Sequence, residues 1–242
     1  MDVRIGEILP TPRHGKPVEI NAYWYNALCI MDEFVGMLQK PDRKKAVSDY
    51  AKMARQTKQS FREKFWSAKL NCLKDVISGT AADEQIRCNQ IWAVSLSFTM
   101  LDKEQERQIV DTVFEKLYTP YGLRTLDPAD AQFHGKYGGS QMERDLAYHQ
   151  GTVWVFPLGA YYLAYLKTRD YEKKALQKVV RQLKTLESAL GEGCIGQLPE
   201  IYDGSRPSFS RGCFAQAWSV GEILRVYGSI QNAALTDRHI IV

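Results

Sequence analysis

Apolar residues recur at steps of three and four along most of the chain, which is the period of an α-helix with one buried face. The first, third, fifth and seventh segments with this pattern are rich in aromatic residues, and the other three carry Lys, Arg and Glu along one side. We therefore expect an all-α fold in which an inner ring of helices is enclosed by an outer ring. The predicted helices cover approximately residues 17–40, 42–66, 89–100, 102–117, 150–167, 171–190 and 211–228.

The predicted connections alternate in length. Those from an inner to an outer helix are short, whereas the three that lead back to an inner helix are long, at residues 67–88, 118–149 and 191–210. In a ring of paired helices the long connections share one face, next to the N-termini of the inner helices. Long loops within a compact domain are usually functional, so we expect the site on this face.

Composition excludes several classes of protein. The chain has 242 residues with a net charge of +4, and its basic residues are scattered, which disfavours a nucleic-acid surface. The five cysteines are odd in number and form no C-x-x-C pair, as expected for reduced thiols in the cytoplasm. No signal-peptide pattern and no apolar run long enough for a membrane span is present. The sequence thus predicts a cytoplasmic protein that does not contact membranes.

The long loops concentrate carboxylates, amides, Arg, Tyr and Trp without a phosphate-binding glycine loop. This mixture is typical of a cleft for a neutral polyhydroxylated ligand, because sugars stack apolar faces on aromatic rings and present hydroxyls to acids and amides. Carbohydrate is the expected ligand, with no cofactor. The tryptophans Trp24, Trp92, Trp154 and Trp218 fit the protein core equally well.

The loop "GQLPEIYDG" carries two acids, Glu200 and Asp203. Glu200 follows a proline and could be fixed at the mouth of the ring, but it could also cap a helix that begins near Arg211 or pair with Arg206 or Arg211. Asp203 and the glycine after it are typical of a turn. The four histidines form no metal-binding pattern and no nucleophile motif is present, so no metal site is predicted.

Six blocks of the sequence, taken in order, resemble the amylo-α-1,6-glucosidase domain of glycogen debranching enzymes. They are "TPRHGKPVEINAYWYNAL", "DEQIRCNQIWAVSL", "YGLRTLDP", "YHQGTVW", "GQLPEIYDG" and "RGCFAQAWSVGEILR". The resemblance implies an (α/α)6 toroid of the glucoamylase-like type. It also implies an inverting hydrolysis of the α-1,6-linked glucose at branch points of glycogen or a related α-glucan.

The resemblance also implies roles for particular residues. Glu200 matches the general base of the family and Asp2 matches the general acid, so their carboxyl groups should lie roughly 6.5 to 9.5 Å apart with a water molecule between them. The blocks further imply contacts with glucose in the pocket from Glu19, Trp24, Arg87, Asn89, Gln90, His149 and Gln150.

The chain departs from the family in a few places. Cys88 stands where the family usually has proline, and about seven of the twelve toroid helices are present, so residues 1–242 match the C-terminal part of the domain. A partial ring would expose the inner faces of its end helices and favour a homodimer or pairing with a missing N-terminal portion. Two alternatives stay open: another inverting toroid glucosidase of glucoamylase or trehalase type, and a glucan-binding module without catalysis.

Overall fold

The computed structural model describes residues 6–38, 48–192, 195–206 and 208–236. Eight α-helices lie in this part of the chain, and short 3₁₀ turns occupy Cys88–Ile91 and Ser188–Gly191. The helices are α1 (Val18–Leu38), α2 (Asp49–Phe65), α3 (Trp92–Ser95), α4 (Lys103–Leu117), α5 (Gln141–Tyr148), α6 (Phe156–Thr168), α7 (Lys173–Glu187) and α8 (Ala217–Thr236).

Short strands accompany the helices, so the expectation of a purely α-helical fold is not confirmed. They form antiparallel sheets in the orders β1-β4-β5, β2-β3 and β10-β9-β8-β7-β6. The strands are β1 (Lys16–Pro17), β2 (Trp66–Ser67), β3 (Cys72–Leu73), β4 (Val76–Ser78), β5 (Ala81–Asp83), β6 (Tyr118–Thr119), β7 (Gly122–Arg124), β8 (Val153–Trp154), β9 (Ile201–Tyr202) and β10 (Ser210–Arg211). All of them lie in or beside the long connections, where they tie one loop to the next.

The helices form an arc of inner and outer members, as the sequence pattern predicts. The inner series runs α1, α3, α6, α8, and each of these packs on the next, while α2, α4 and α7 pack behind them. Nearly every side chain of α6 is buried because the helix touches α3, α4, α7 and α8. The two end helices are less covered. Phe34 and Met37 on α1 and Leu224 and Leu235 on α8 are more than half exposed.

Local signals explain several helix starts. A capping box starts α4: the Asp102 side chain accepts from the Gln105 N–H, and the Gln105 side-chain oxygen accepts from the Asp102 N–H. Ser140 and Glu143 form a second capping box at the start of α5. The sequence prediction missed this helix, because it placed residues 118–149 in a long connection. Gly138 and Gly139 directly precede Ser140 and are typical of a turn, so the sequence pattern did not indicate the start of a helix.

The third predicted helix, 89–100, was too long, because α3 ends at Ser95 and Leu96 has an extended backbone. The cause is tertiary. The Asn26 amide on α1 donates to the Phe98 carbonyl at 2.8 Å and accepts from the Phe98 N–H at 2.9 Å. The Lys167 ammonium donates to the carbonyl of Leu96 at 2.9 Å. These partners replace the hydrogen bonds that a continuing helix would supply.

The fifth and seventh predicted helices began too early for a related reason. Residues 153–154 and 210–211 pair in the five-stranded sheet before α6 and α8 begin. Gly212 then adopts φ +66°, which is outside the right-handed helical region. The first residues of both predicted helices therefore belong to the sheet. Strand pairing in this sheet places the loops before α6 and α8 next to each other.

Candidate functional site

Glu200 directly precedes β9, and its backbone is held from both sides of the sheet. Its N–H donates to the carbonyl of Cys213 at 2.8 Å, and its carbonyl accepts from the N–H of Val155 at 3.5 Å. The residue is therefore locked between the loop that leads to α8 and the loop that leads to α6. It sits on the face of the arc where the long connections gather.

The carboxylate of Glu200 is oriented by one hydrogen bond on each oxygen. The Tyr148 hydroxyl donates to Oε1, and the Cys213 N–H donates to Oε2 at 3.0 Å. Gly212 makes room for this arrangement, because a Cβ at that position would lie 2.4 Å from Oε2. Glu200 remains partly exposed. Each oxygen thus keeps a lone pair available for a further donor such as a water molecule.

Asp203 has a different environment from Glu200. It is 1% exposed, and it accepts from the Arg211 guanidinium at 3.1 Å and from the Tyr137 N–H at 2.9 Å. Arg211, which the sequence offered as a partner for Glu200, therefore pairs with Asp203. The helix that Glu200 was expected to cap begins later, at Ala217. Of the two acids, Asp203 is structural and Glu200 is the one that faces solvent.

A row of aromatic rings leads across the arc to Glu200. Successive ring centroids lie 4.9 to 6.0 Å apart from α1 through to the strand beside Glu200. The rings are Tyr23, Trp92, Phe156, Trp218, Trp154 and His149, and Tyr148 contacts the last two. Trp92 and Trp154 are buried, whereas Trp218 and Tyr23 are 46% and 43% exposed. The tryptophans are thus divided between core and surface.

A buried ionic network lies beside this row. Arg13 donates two hydrogen bonds to Glu19, at 2.6 and 2.7 Å, and two to Asp75, at 2.7 and 2.9 Å. Burial alone would lower the pKa of Arg13, because it disfavours the charged guanidinium. The Glu19 and Asp75 carboxylates outweigh this effect, so the pKa of Arg13 is raised. Burial alone would raise the pKa of Glu19, yet Arg13 lowers it. Asn89 also donates to Glu19, at 3.1 Å, so the Glu19 carboxylate is ionised and fixed in place.

Arg87 links this network to His149 and Gln150. Its guanidinium donates to the backbone carbonyl of His149 at 2.7 Å and to the side-chain oxygen of Gln150 at 2.5 Å, and its Nε lies 3.6 Å from Asp75. Burial, together with the positive charges of Arg87 and Arg13, lowers the pKa of His149 to about 3. His149 is therefore neutral at physiological pH, and its buried Nδ1 bonds to no group in the described part of the chain.

The structure gathers most of the residues predicted for a sugar pocket and leaves others apart. Glu19, Arg87, Asn89, His149 and Gln150 are joined by the contacts above. The Gln90 amide is engaged by the backbone, since it accepts from the Leu73 N–H and donates to the Arg87 carbonyl, both at 3.1 Å. Trp24 lies elsewhere, in a groove with α2. Asp2 lies outside the described residues.

Several residues of this region were missed by the sequence prediction. Tyr148 and Gly212 touch or border the Glu200 carboxylate, and Arg13 and Asp75 form the centre of the ionic network. Tyr148, Gly212 and Arg13 lie inside the quoted sequence blocks, which was a signal of their importance. Asp75 lies in a connection between two blocks, and only the tertiary contact identifies it.

Metal-binding clusters and membrane-spanning helices are both absent from the described residues. Within residues 6–38, 48–192, 195–206 and 208–236, no three His, Cys, Asp or Glu side chains gather as a metal site would require. In the same part of the chain, no helix is both long enough and apolar enough to cross a bilayer.

Comparison with known proteins shows that the chain matches a protein family. Residues 1–225 match the family described as amylo-alpha-1,6-glucosidase. The glycogen debranching enzyme of Saccharomyces cerevisiae (strain ATCC 204508 / S288c) is 26% identical over 174 residues. That match covers 64% of this chain but only 11% of the yeast protein. The chain thus corresponds to a small part of this curated relative.

Solved structures share the fold at low sequence identity. Neutral trehalase Nth1 from Saccharomyces cerevisiae is 16% identical with a TM-score of 0.63, and the match covers 90% of this chain and 39% of trehalase. An uncharacterised conserved protein from Thermus thermophilus is also 16% identical, with a TM-score of 0.58, and the match covers 88% of this chain and 46% of that protein. At this identity the likeness shows the fold alone: an arc of paired helices like part of a trehalase.

Proposed function

The chain belongs to the amylo-alpha-1,6-glucosidase family, and we propose that it takes part in the inverting hydrolysis of α-1,6-linked glucose at branch points of glycogen or a similar α-glucan. In this proposal Glu200 is the general base that removes a proton from the attacking water. In this proposal residues 1–242 form the C-terminal part of a toroid, and further helices are needed to complete it.

The observation that supports this proposal best is the setting of the Glu200 carboxylate. A general base must be ionised, held in one orientation and open to a water molecule. Glu200 is held by the Tyr148 hydroxyl and by the Cys213 N–H, and it is partly exposed. The nearby Arg211 pairs with Asp203 and not with Glu200. The aromatic row that ends at Tyr148 provides flat apolar surfaces on which sugar rings stack.

The remaining roles follow from this assignment. The connected group of Glu19, Arg87, Asn89, His149 and Gln150, of which Glu19 and Asn89 are partly exposed, would bind the glucose hydroxyls. The neutral His149 can donate to or accept from a hydroxyl without adding charge. Asp2 is the proposed general acid. An inverting mechanism requires its carboxyl group to lie roughly 6.5 to 9.5 Å from that of Glu200.

Release of glucose from a phosphorylase-limit dextrin tests the activity. We expect Glu200→Gln to abolish release, and Glu115→Gln to leave it unchanged because Glu115 is a surface carboxylate on α4 that is 74% exposed. Proton NMR of the first product gives a second readout, since inversion yields β-glucose. Full activity in Glu200→Gln, or α-glucose as the first product, would refute the assignment.

Pairing with further helices is part of the proposal. The exposed apolar side chains of α1 and α8, the two ends of the inner series, would pack against a second copy or against the N-terminal part of a longer enzyme. We accordingly expect the chain alone to be weakly active. Sedimentation of the chain across a concentration range reports self-association, and turnover equal to that of a full-length debranching enzyme in a strictly monomeric sample would contradict this part.

A trehalase-like specificity is the second candidate, because neutral trehalase shares the fold. Supplying trehalose and the limit dextrin side by side separates the two, since each activity releases glucose from only one of them. Binding of maltoheptaose without hydrolysis of either substrate would instead indicate a glucan-binding module. We place the protein in the cytoplasm, which fits the four described cysteines, all of them free thiols.

A further inference from the structure

A groove between α1 and α2 combines an exposed tryptophan with polar side chains, and it is separate from the Glu200 region. Its cavity volume is about 230 Å³. Ten residues line it, and they come from β1, α1, α2 and β4: Lys16, Asn21, Trp24, Gln56, Thr57, Ser60, Phe61, Lys64, Phe65 and Ile77. None of the aromatic row contributes to this lining.

Helix geometry explains why Trp24 faces this groove. An α-helix turns about 100° per residue, so residues four positions apart share a face and adjacent residues do not. Tyr23 is four residues after Glu19 and stands on the face that carries the aromatic row. Trp24 is therefore rotated by about 100° towards α2. Its ring is 49% exposed although it borders a cavity.

The wall opposite Trp24 is built from two stripes along α2. Thr57, Phe61 and Phe65 are spaced by four residues; the two phenylalanine rings stack at 4.6 Å and supply an apolar floor, and Thr57 adds a hydroxyl beyond them. Gln56, Ser60 and Lys64 have the same spacing and form a polar edge. Each stripe spans eight residue steps of the helix, which makes the groove about 12 Å long.

The polar groups on the α2 side of this groove have no partners in the described part of the chain. The side chains of Gln56, Thr57 and Ser60 are open to solvent and bond to no described residue, and the charged residues of the lining are Lys16 and Lys64, with no Asp or Glu. An aromatic platform beside neutral hydroxyl and amide groups suits the apolar face and the hydroxyl edge of a sugar. Hydrolysis of a glycosidic bond needs two carboxyl groups, which this lining lacks.

We propose that this groove is a second, non-catalytic binding site for a short α-glucan chain, with Trp24 stacking on a glucose ring and Gln56, Thr57 and Ser60 bonding its hydroxyls. Trp24 then acts here and not in the glucose pocket that the sequence resemblance implies. The choice of an α-glucan rests on the proposed function. The existence of a sugar site rests on the groove itself.

Titration calorimetry with maltoheptaose tests the proposal. We expect Trp24→Ala to weaken binding at the groove about tenfold or more, and Thr57→Val, which keeps the shape and removes the hydroxyl, to weaken it by a smaller factor. Phe114→Ala is the control, since it truncates an exposed ring on α4 that lies outside both the groove and the aromatic row. It should leave the affinity of the groove unchanged. Thermal melting of each variant confirms that it is folded.

The outcomes separate this inference from the proposed function. Unchanged maltoheptaose binding in folded Trp24→Ala, or equal loss in Trp24→Ala and Phe114→Ala, would overturn the second site. Binding that depends on Trp24 in a chain that hydrolyses no dextrin would support the groove and count against the catalytic proposal. Hydrolysis that depends on Glu200, in a chain whose maltoheptaose binding does not depend on Trp24, would support the catalytic proposal and overturn the second site.

Discussion

Replacing Asp75 by Asn removes the central negative charge of a buried ionic network. The Asp75 side chain is 1% exposed and takes two hydrogen bonds from Arg13, at 2.7 and 2.9 Å, with the Nε of Arg87 at 3.6 Å. In the native protein two arginines face two carboxylates, Asp75 and Glu19. The substitution leaves both arginines buried with one carboxylate between them.

Breaking a buried ion pair by removing one partner costs about 3 to 5 kcal/mol, because an uncompensated charge stays in a region of low polarity. For a chain of this length each kcal/mol lowers the melting temperature by about 2 to 4 °C. We therefore expect Asp75→Asn to lower the melting temperature by roughly 6 to 20 °C. Far-UV circular dichroism during heating measures the change, and urea unfolding gives the free energy directly.

Asp111→Asn is the matched control for this experiment. Asp111 also accepts from an arginine, Arg169, at 2.8 Å, but it is 63% exposed. An exposed pair contributes about 0 to 1 kcal/mol, so this variant should unfold almost like the unmodified chain. Equal, small losses in both variants would show that burial does not strengthen the network, and the reasoning would be wrong.

Three further predictions concern Glu200 and its surroundings. Gly212→Ala should reduce glucose release at least tenfold, because the new methyl group would collide with Oε2 of Glu200 and the backbone has φ +66°. Tyr148→Phe removes a hydrogen bond to a charged group, worth about 1.5 to 3 kcal/mol, so kcat should fall by roughly 10- to 150-fold with little change in KM. His149→Asn should flatten the loss of stability in acid. Burial lowers the pKa of His149 to about 3 in the native protein, against about 6.5 in the unfolded chain. Between these two pH values only the unfolded chain binds the proton, so the free energy of unfolding falls by about 1.4 kcal/mol for each unit by which the pH decreases. Above pH 6.5 this histidine causes no further change in stability.

Each of the three has a control within the chain. Gly138→Ala adds a methyl group to open space and should leave glucose release intact. Glu200→Gln should be more damaging than Tyr148→Phe, and a full rate in the latter would exclude a role for the hydroxyl. His14→Asn replaces an exposed histidine, and urea unfolding from pH 7 to pH 4 should then retain the acid slope. Identical slopes in both histidine variants would contradict the buried-imidazole argument.

The sequence by itself determined the alternation of helices and much of the site. Its period of three to four apolar residues placed inner helices such as α6 and outer helices such as α4, because a helix can bury its apolar face only against a neighbour. The ordered blocks pointed to Glu200 as the proposed base and included Glu19, Arg87 and His149 as proposed pocket residues. These are local patterns, and a linear sequence states them directly.

Only the tertiary structure decided where that pattern stops and which partners meet. Asn26 ends α3 through hydrogen bonds to Phe98, which lies 72 positions later in the chain, and no local signal could show this. Arg211 pairs with Asp203 and not with Glu200, and Trp24 lines a groove with α2 residues apart from Glu19 and Arg87. Such outcomes depend on distances between residues remote in sequence, because buried charges and polar groups take whatever partner the packed elements bring within reach.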